Sequence, residues 1–141
     1  MTFEKPFVIE KLNYMDDYIK EMESFLKSSD IEILKDMRTL RALERDFQLV
    51  VDAMTDINQH FIRELNLPLP DDFQSAFYIL GKNGILPKDF SDKIAPIVGL
   101  RNKVVHRYET VSNEQFLEDL RNNFSDFKTY EKYILDYSQK Q

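Results

Sequence analysis

The sequence predicts an all-α protein, an up-and-down bundle of four or five helices. Three observations carry that reading. Charged residues make up 31% of the chain and hydrophobic residues 43%, with only three glycines in 141 residues, a balance suited to helices with one greasy face. Apolar residues recur in alternating steps of three and four, the period of an α-helix rather than of a strand. Residues that stop helices, such as Ser28-Ser29-Asp30, Leu67-Pro68-Leu69-Pro70 and Asn83-Gly84, fall between these stretches. The length fits one domain over residues 1–141.

The first helix is expected from Pro6 to about Lys27, because Val8, Leu12, Met15, Ile19, Met22 and Leu26 line one face. Ser28-Ser29-Asp30 breaks it, and Asp30 is placed to cap the next helix. The second and longest helix should run from Ile31 or Ile33 to Asn66. Its seam of Leu40, Leu43, Phe47, Val50, Met54, Ile57 and Phe61 suits antiparallel packing on the first helix. The other side of that helix carries Arg45, Asp52, Asp56, His60 and Arg63. Pro68 and Pro70 make a rigid linker. Asp71 or Asp72 then caps a short helix to Leu80 or Lys82, closed by Asn83-Gly84. Pro87 starts the next helix with Asp89 in its first turn. Pro96 lies inside it, and an internal proline costs about 3 kcal/mol, so a kink or break is expected near Ile94–Pro96. After a turn at Glu109-Thr110-Val111, Ser112 to Gln115 fit a capping box. The last helix carries a stripe of Phe116, Leu120, Phe127, Tyr130, Ile134 and Tyr137, joined by Leu117 and Phe124, and should fray from Ser138.

Composition narrows the function. There are no cysteines, which excludes disulfides and thiolate metal ligands. The two histidines, His60 and His106, are far apart, which argues against a histidine-rich metal site. No metal and no cofactor is expected. No apolar run approaches the ~18 residues that span a bilayer, and the first residues lack the pattern of a signal peptide, so a cytoplasmic protein is expected. The net charge of −6 disfavours nonspecific nucleic-acid binding. Yet from Lys82 to Tyr108 six cations (Lys82, Lys88, Lys93, Arg101, Lys103, Arg107) stand against two acids (Asp89, Asp92), a local +4 that leaves −10 elsewhere. A basic patch on an acidic body fits a selective RNA contact or an acidic protein partner.

The densest chemistry lies in Leu100-Arg101-Asn102-Lys103-Val104-Val105-His106-Arg107-Tyr108. On a helix turning about 100° per residue, Asn102 lies near ~100° from Arg101, His106 near ~140° and Tyr108 near ~−20°. Ile97, Val104 and Leu100 fall at roughly −40°, −60° and −100°. One flank is therefore apolar and the next is Arg, Asn and His. Arg101 offers a planar fork of donors that suits a phosphate. A free imidazole titrates near ~6.5, so histidine can move a proton at neutral pH. Asn102 is four residues from His106 and could orient it. The set could cleave a phosphodiester without metal, with His106 moving the proton of a ribose 2′-hydroxyl and Arg101 holding the phosphate oxygens. On spacing alone the set also reads as an ordinary helix end with surface charges and a capping tyrosine. Asp56 and His60, also four apart, are either a solvated pair or a polar supplement to this site.

Arg101, His106 and Tyr108 at this spacing resemble the R-x4-H-x-Y motif of HEPN-domain toxins, closest to HepT-like proteins that pair with MNT-type nucleotidyltransferase antitoxins. Gly99-Leu100, Phe77-Tyr78-Ile79-Leu80, Gly84-Ile85-Leu86-Pro87, Arg41-Ala42-Leu43-Glu44-Arg45 and Asp56-Ile57-Asn58-Gln59-His60 are similar to that family too. The likeness runs from about Leu12 into the last helix; Pro96 is a departure from it. It implies a HEPN-like bundle and a homodimer in which two motifs share one cleft. It implies a metal-independent endoribonuclease toxin with Arg101, His106 and Asn102 catalytic and Asp56, His60 and Lys103 as possible supports. It also implies that the antitoxin AMPylates Tyr108. Two alternatives stay open: a catalytically silent module that only binds the nucleotidyltransferase, and a plain helical scaffold.

Overall fold

A computed structural model describes residues 5–106 and 111–140. Its described residues form seven helices: α1 (Lys5–Phe25), α2 (Asp30–Lys35), α3 (Met37–Glu64), α4 (Phe73–Lys82), α5 (Lys88–Ile94), α6 (Ile97–His106) and α7 (Asn113–Gln139). The bundle is all-α, as expected, and its two extra elements come from two breaks. The long second helix is cut near Asp36, whose side chain accepts the backbone N–H groups of Arg38 and Thr39 and so starts α3 afresh. Ser29, not Asp30, caps α2, with Asp30 in the first turn where its charge meets the helix dipole. The second break is at Ala95–Pro96. Proline has no N–H to give to the preceding turn, so α5 ends at Ile94 and α6 begins at Ile97. The Pro96 carbonyl accepts from Gly99 and Leu100, which starts the new helix.

The predicted seams are the core. All seven seam residues of α3, from Leu40 to Phe61, are buried against Val8, Leu12, Met15, Ile19 and Met22 of α1 and Phe116, Leu120, Phe127, Tyr130 and Ile134 of α7. α3 ends at Glu64, two residues short of the expected Asn66, which takes φ 54°, and the Leu67 N–H reaches back to the Ile62 carbonyl. Asp72 caps α4 by accepting the Ser75 N–H. Gly84 takes the left-handed φ of 78° after it. At Gly81 a side chain would collide with Ser91, so α4 and α5 approach more closely than any other residue would allow.

Ser112 caps α7 by accepting the Gln115 N–H. The Gln115 side chain donates forward to Asp119 at 2.9 Å rather than completing the capping box. The expected fraying from Ser138 is not seen: α7 continues to Gln139, and the buried Ser138 hydroxyl donates to the Ile134 carbonyl at 2.8 Å. No helix among the described residues is long and apolar enough to cross a membrane.

Candidate functional site

α6 is held by its apolar flank. Ile97, Val98 and Val104 are buried, Leu100 and Arg101 lie at the border, and Asn102, Lys103 and His106 are exposed. Apart from Val98, buried although it falls at roughly +60° between Arg101 and Asn102, this is the division that the helical spacing predicts. His106 is the last residue of the helix. Asn102 and His106 share one exposed stripe, four residues apart. Lys103 is roughly 200° around the helix from Arg101, on another face.

Arg101 crosses from α6 to α3. Its Nε–H donates to Asp52 Oδ1 at 3.0 Å, and its Nη1 donates to Asn102 Oδ1 at 3.4 Å. Arg101 is one-fifth exposed at its side chain and Asp52 two-fifths, so this ion pair sits at a seam between solvent and core. The Asn102 amide is thus turned toward the guanidinium. Asp52 is the residue that sequence reasoning did not select. It shares a face of α3 with Asp56, but only the packing of α6 on α3 decides which acid meets Arg101.

The two proposed supports from α3 turn to α1 instead. Asp56 accepts a salt bridge from Lys11 at 2.9 Å. His60 is buried, and its ring stacks on Phe7 at 4.6 Å between centroids. The physical reason is that the first turns of α1 cover this stretch of α3, so the polar row is shared between two neighbouring helices. Tyr108 and Arg107 lie outside the described residues.

The basic segment is less positive than its composition. Lys88 pairs with Asp92 at 3.4 Å, Lys93 with Asp126 at 3.1 Å and Arg101 with Asp52 at 3.0 Å. Asp126 is buried and comes from α7, so the segregated cations are partly answered by acids from elsewhere in the fold. Among the described residues no three His, Asp or Glu side chains are grouped as metal donors.

A family model described as ribonuclease HepT-like matches residues 15–134, which spans α6 and nearly the whole core. This chain belongs to the HepT-like family. It is 30% identical over 138 residues to the tRNA nuclease HepT of Aphanizomenon flos-aquae, covering 97% of this chain and 94% of that one. It is 27% identical over 85 residues to the mRNA nuclease HepT of Shewanella oneidensis, covering 60% of this chain and 64% of the relative. Among solved structures, a tri-AMPylated Shewanella oneidensis HEPN toxin in complex with an MNT antitoxin superposes with a TM-score of 0.87 at 22% identity, over 94% of this chain and 99% of that one. The HEPN-like bundle is therefore the fold of this HepT-like chain, including the helix that bears Arg101 and His106.

Proposed function

We propose that this chain is a metal-independent endoribonuclease, the toxin of a HEPN/MNT toxin–antitoxin pair. It acts as a single HEPN-like domain in the cytoplasm. The observation that supports the reading best is the division of α6: a buried apolar flank, Arg101 held at the border, and Asn102 and His106 exposed beside it. The HepT-like relatives that are named as nucleases support it independently.

In this mechanism His106 removes the proton of a ribose 2′-hydroxyl, and the 2′-oxygen attacks phosphorus. Arg101 and Asn102 donate to the phosphate oxygens as negative charge builds there. The bond to the 5′-oxygen breaks, that oxygen takes up a proton, and a 2′,3′-cyclic phosphate remains. Two chains bring their motifs to one cleft, so that a second Arg101 and His106 supply the acid and further grip. Lys103 adds positive charge for the RNA backbone.

The nucleotidyltransferase partner silences the site by AMPylating Tyr108, two residues beyond His106. An adenylate there adds bulk and negative charge where RNA must bind. The test is expression of the wild type and His106→Ala, each alone and with the cognate nucleotidyltransferase. The expected result is growth arrest by the wild type alone, relieved by the partner, with an AMP mass added at Tyr108. Equal toxicity of both proteins would contradict the catalytic reading and leave a module that binds its partner.

A further inference from the structure

Arg101 is oriented from a second helix, by a residue to which neither the motif nor the charge pattern points. Asp52 stands 49 positions away in sequence and accepts the Arg101 Nε–H at 3.0 Å. A free arginine side chain is long and samples many rotamers. An acceptor fixed in the middle of the 28-residue α3 removes part of that freedom before any substrate arrives. The atom chosen also matters. A carboxylate at Nε leaves the two amino nitrogens at the far end of the fork, and Nη1 there reaches Asn102 Oδ1 at 3.4 Å. That end is aimed along the edge of α6 that carries Asn102.

We propose that Asp52 is a positioning residue for the ribonuclease reaction: it grips Arg101 at Nε so that the amino end of the guanidinium faces the scissile phosphodiester. This rests on the reading of Arg101 as the phosphate binder. The negative charge of Asp52 by itself disfavours an anion nearby. A purely electrostatic role therefore predicts better substrate binding when the charge is removed, with turnover unharmed. A positioning role differs in kcat, which falls while KM is unchanged or lower.

The experiment compares purified wild type, Asp52→Asn and Asp52→Glu on a fluorogenic RNA in EDTA, with thermal melts. It also follows the ¹⁵N–¹H signal of Arg101 Nε and the affinity for a 2′-O-methyl RNA oligonucleotide that cannot be cleaved. For Asp52→Asn the expected result is a folded protein with kcat down by about 10- to 100-fold and a shifted Arg101 Nε signal. Asp52→Glu should recover kcat to within about fivefold of the wild type, because it restores a carboxylate acceptor. A kcat within about twofold of wild type in Asp52→Asn overturns the proposal. So does a loss that tracks unfolding and is not rescued by Asp52→Glu. If the wild type cuts no RNA, or His106→Ala cuts it equally well, the nuclease reading fails separately. The Arg101 Nε signal then decides: unchanged in Asp52→Asn it overturns positioning, and shifted it supports it.

Discussion

Two arginines of this bundle meet an aspartate on another helix, and they differ in what is left over. Arg121 on α7 has a partner at each of its three nitrogens. Its Nε donates to Asp30, Nη1 to the Leu26 carbonyl at 3.0 Å and Nη2 to the Ser28 carbonyl at 2.8 Å. Both carbonyls lie in the turn between α1 and α2, so Arg121 closes the α1–α2 junction. Arg101 on α6 meets Asp52 at Nε and Asn102 at Nη1, both side chains at the protein edge. An arginine whose nitrogens are all spent on one chain holds a fold together. An arginine gripped at one edge is oriented and keeps donors for an incoming anion.

Substitution should separate the two. Arg101→Ala is expected to lower RNA cleavage by about 10²–10³-fold, the usual loss for a donor to a developing oxyanion, while the melting temperature hardly changes. Arg121→Ala should do the reverse. It leaves two carbonyls and Asp30 without their donor at a partly exposed junction, so we expect a cost of about 1–2 kcal/mol, or roughly 3–8 °C in Tm. The specific activity of its folded fraction should stay near wild type. Parallel melts and cleavage assays on both variants check this, and a large loss of stability in Arg101→Ala would erase the contrast.

A fully buried case sharpens it further. Tyr130 donates its hydroxyl to Asn58 Oδ1 at 2.6 Å and lies within hydrogen-bond distance of the Met54 carbonyl at 3.2 Å. Neither Tyr130 nor Asn58 is exposed. Tyr130→Phe leaves the buried Asn58 Oδ1 without this donor, at about 1–3 kcal/mol by urea titration. The effect should match or exceed that of Arg121→Ala despite the loss of a single oxygen.

The smallest effect concerns pH. Burial pushes the Asp46 carboxyl up to about 7, helped by its hydrogen bond and charge contact with Glu21. Burial likewise raises Glu131 to about 7, reinforced by the charge of Asp16 and opposed by Lys128. Such a carboxyl keeps its proton in the folded state after the unfolded chain has lost it. Its stabilisation is full below the ordinary carboxylate value of about 4 and is lost as pH rises through the folded value near 7. The urea midpoint should therefore fall between pH 5 and pH 8. Asp46→Asn and Glu131→Gln should each flatten that fall, and a midpoint rising with pH in the wild type would contradict it. Asp36 and Asp72 act in the other direction. Hydrogen bonds from Thr39 and Ser75 hold their carboxyls low, so that stabilisation disappears only in more acid solution.

The parts of the fold legible in the sequence are those set by local periodicity and caps. The α3 seam, the Ser112 and Asp72 caps and the break at Pro96 each depend on residues within a few positions of one another. The motif is legible for the same reason, since Arg101, Asn102 and His106 lie within two turns of one helix. What escapes is set by packing between distant segments. Asp52 and Asp56 are both acids on one face of α3, and nothing local decides that the first should meet Arg101 and the second Lys11. His60 looks available in the sequence because no neighbouring residue says that Phe7 covers it. The split at Asp36 is hidden because an aspartate inside a strong apolar period reads as a surface residue until its side chain is seen to cap.

His106 is the centre of the proposed mechanism, in which it is the proton-transfer residue of a metal-free ribonuclease. The most direct measurement is to incubate purified wild type and His106→Ala with total RNA in EDTA and identify the new RNA ends, having shown that both proteins melt alike. The expected outcome is 2′,3′-cyclic phosphate ends from the wild type and none from His106→Ala. Identical cleavage by both, or wild-type cleavage that EDTA abolishes, would contradict that role.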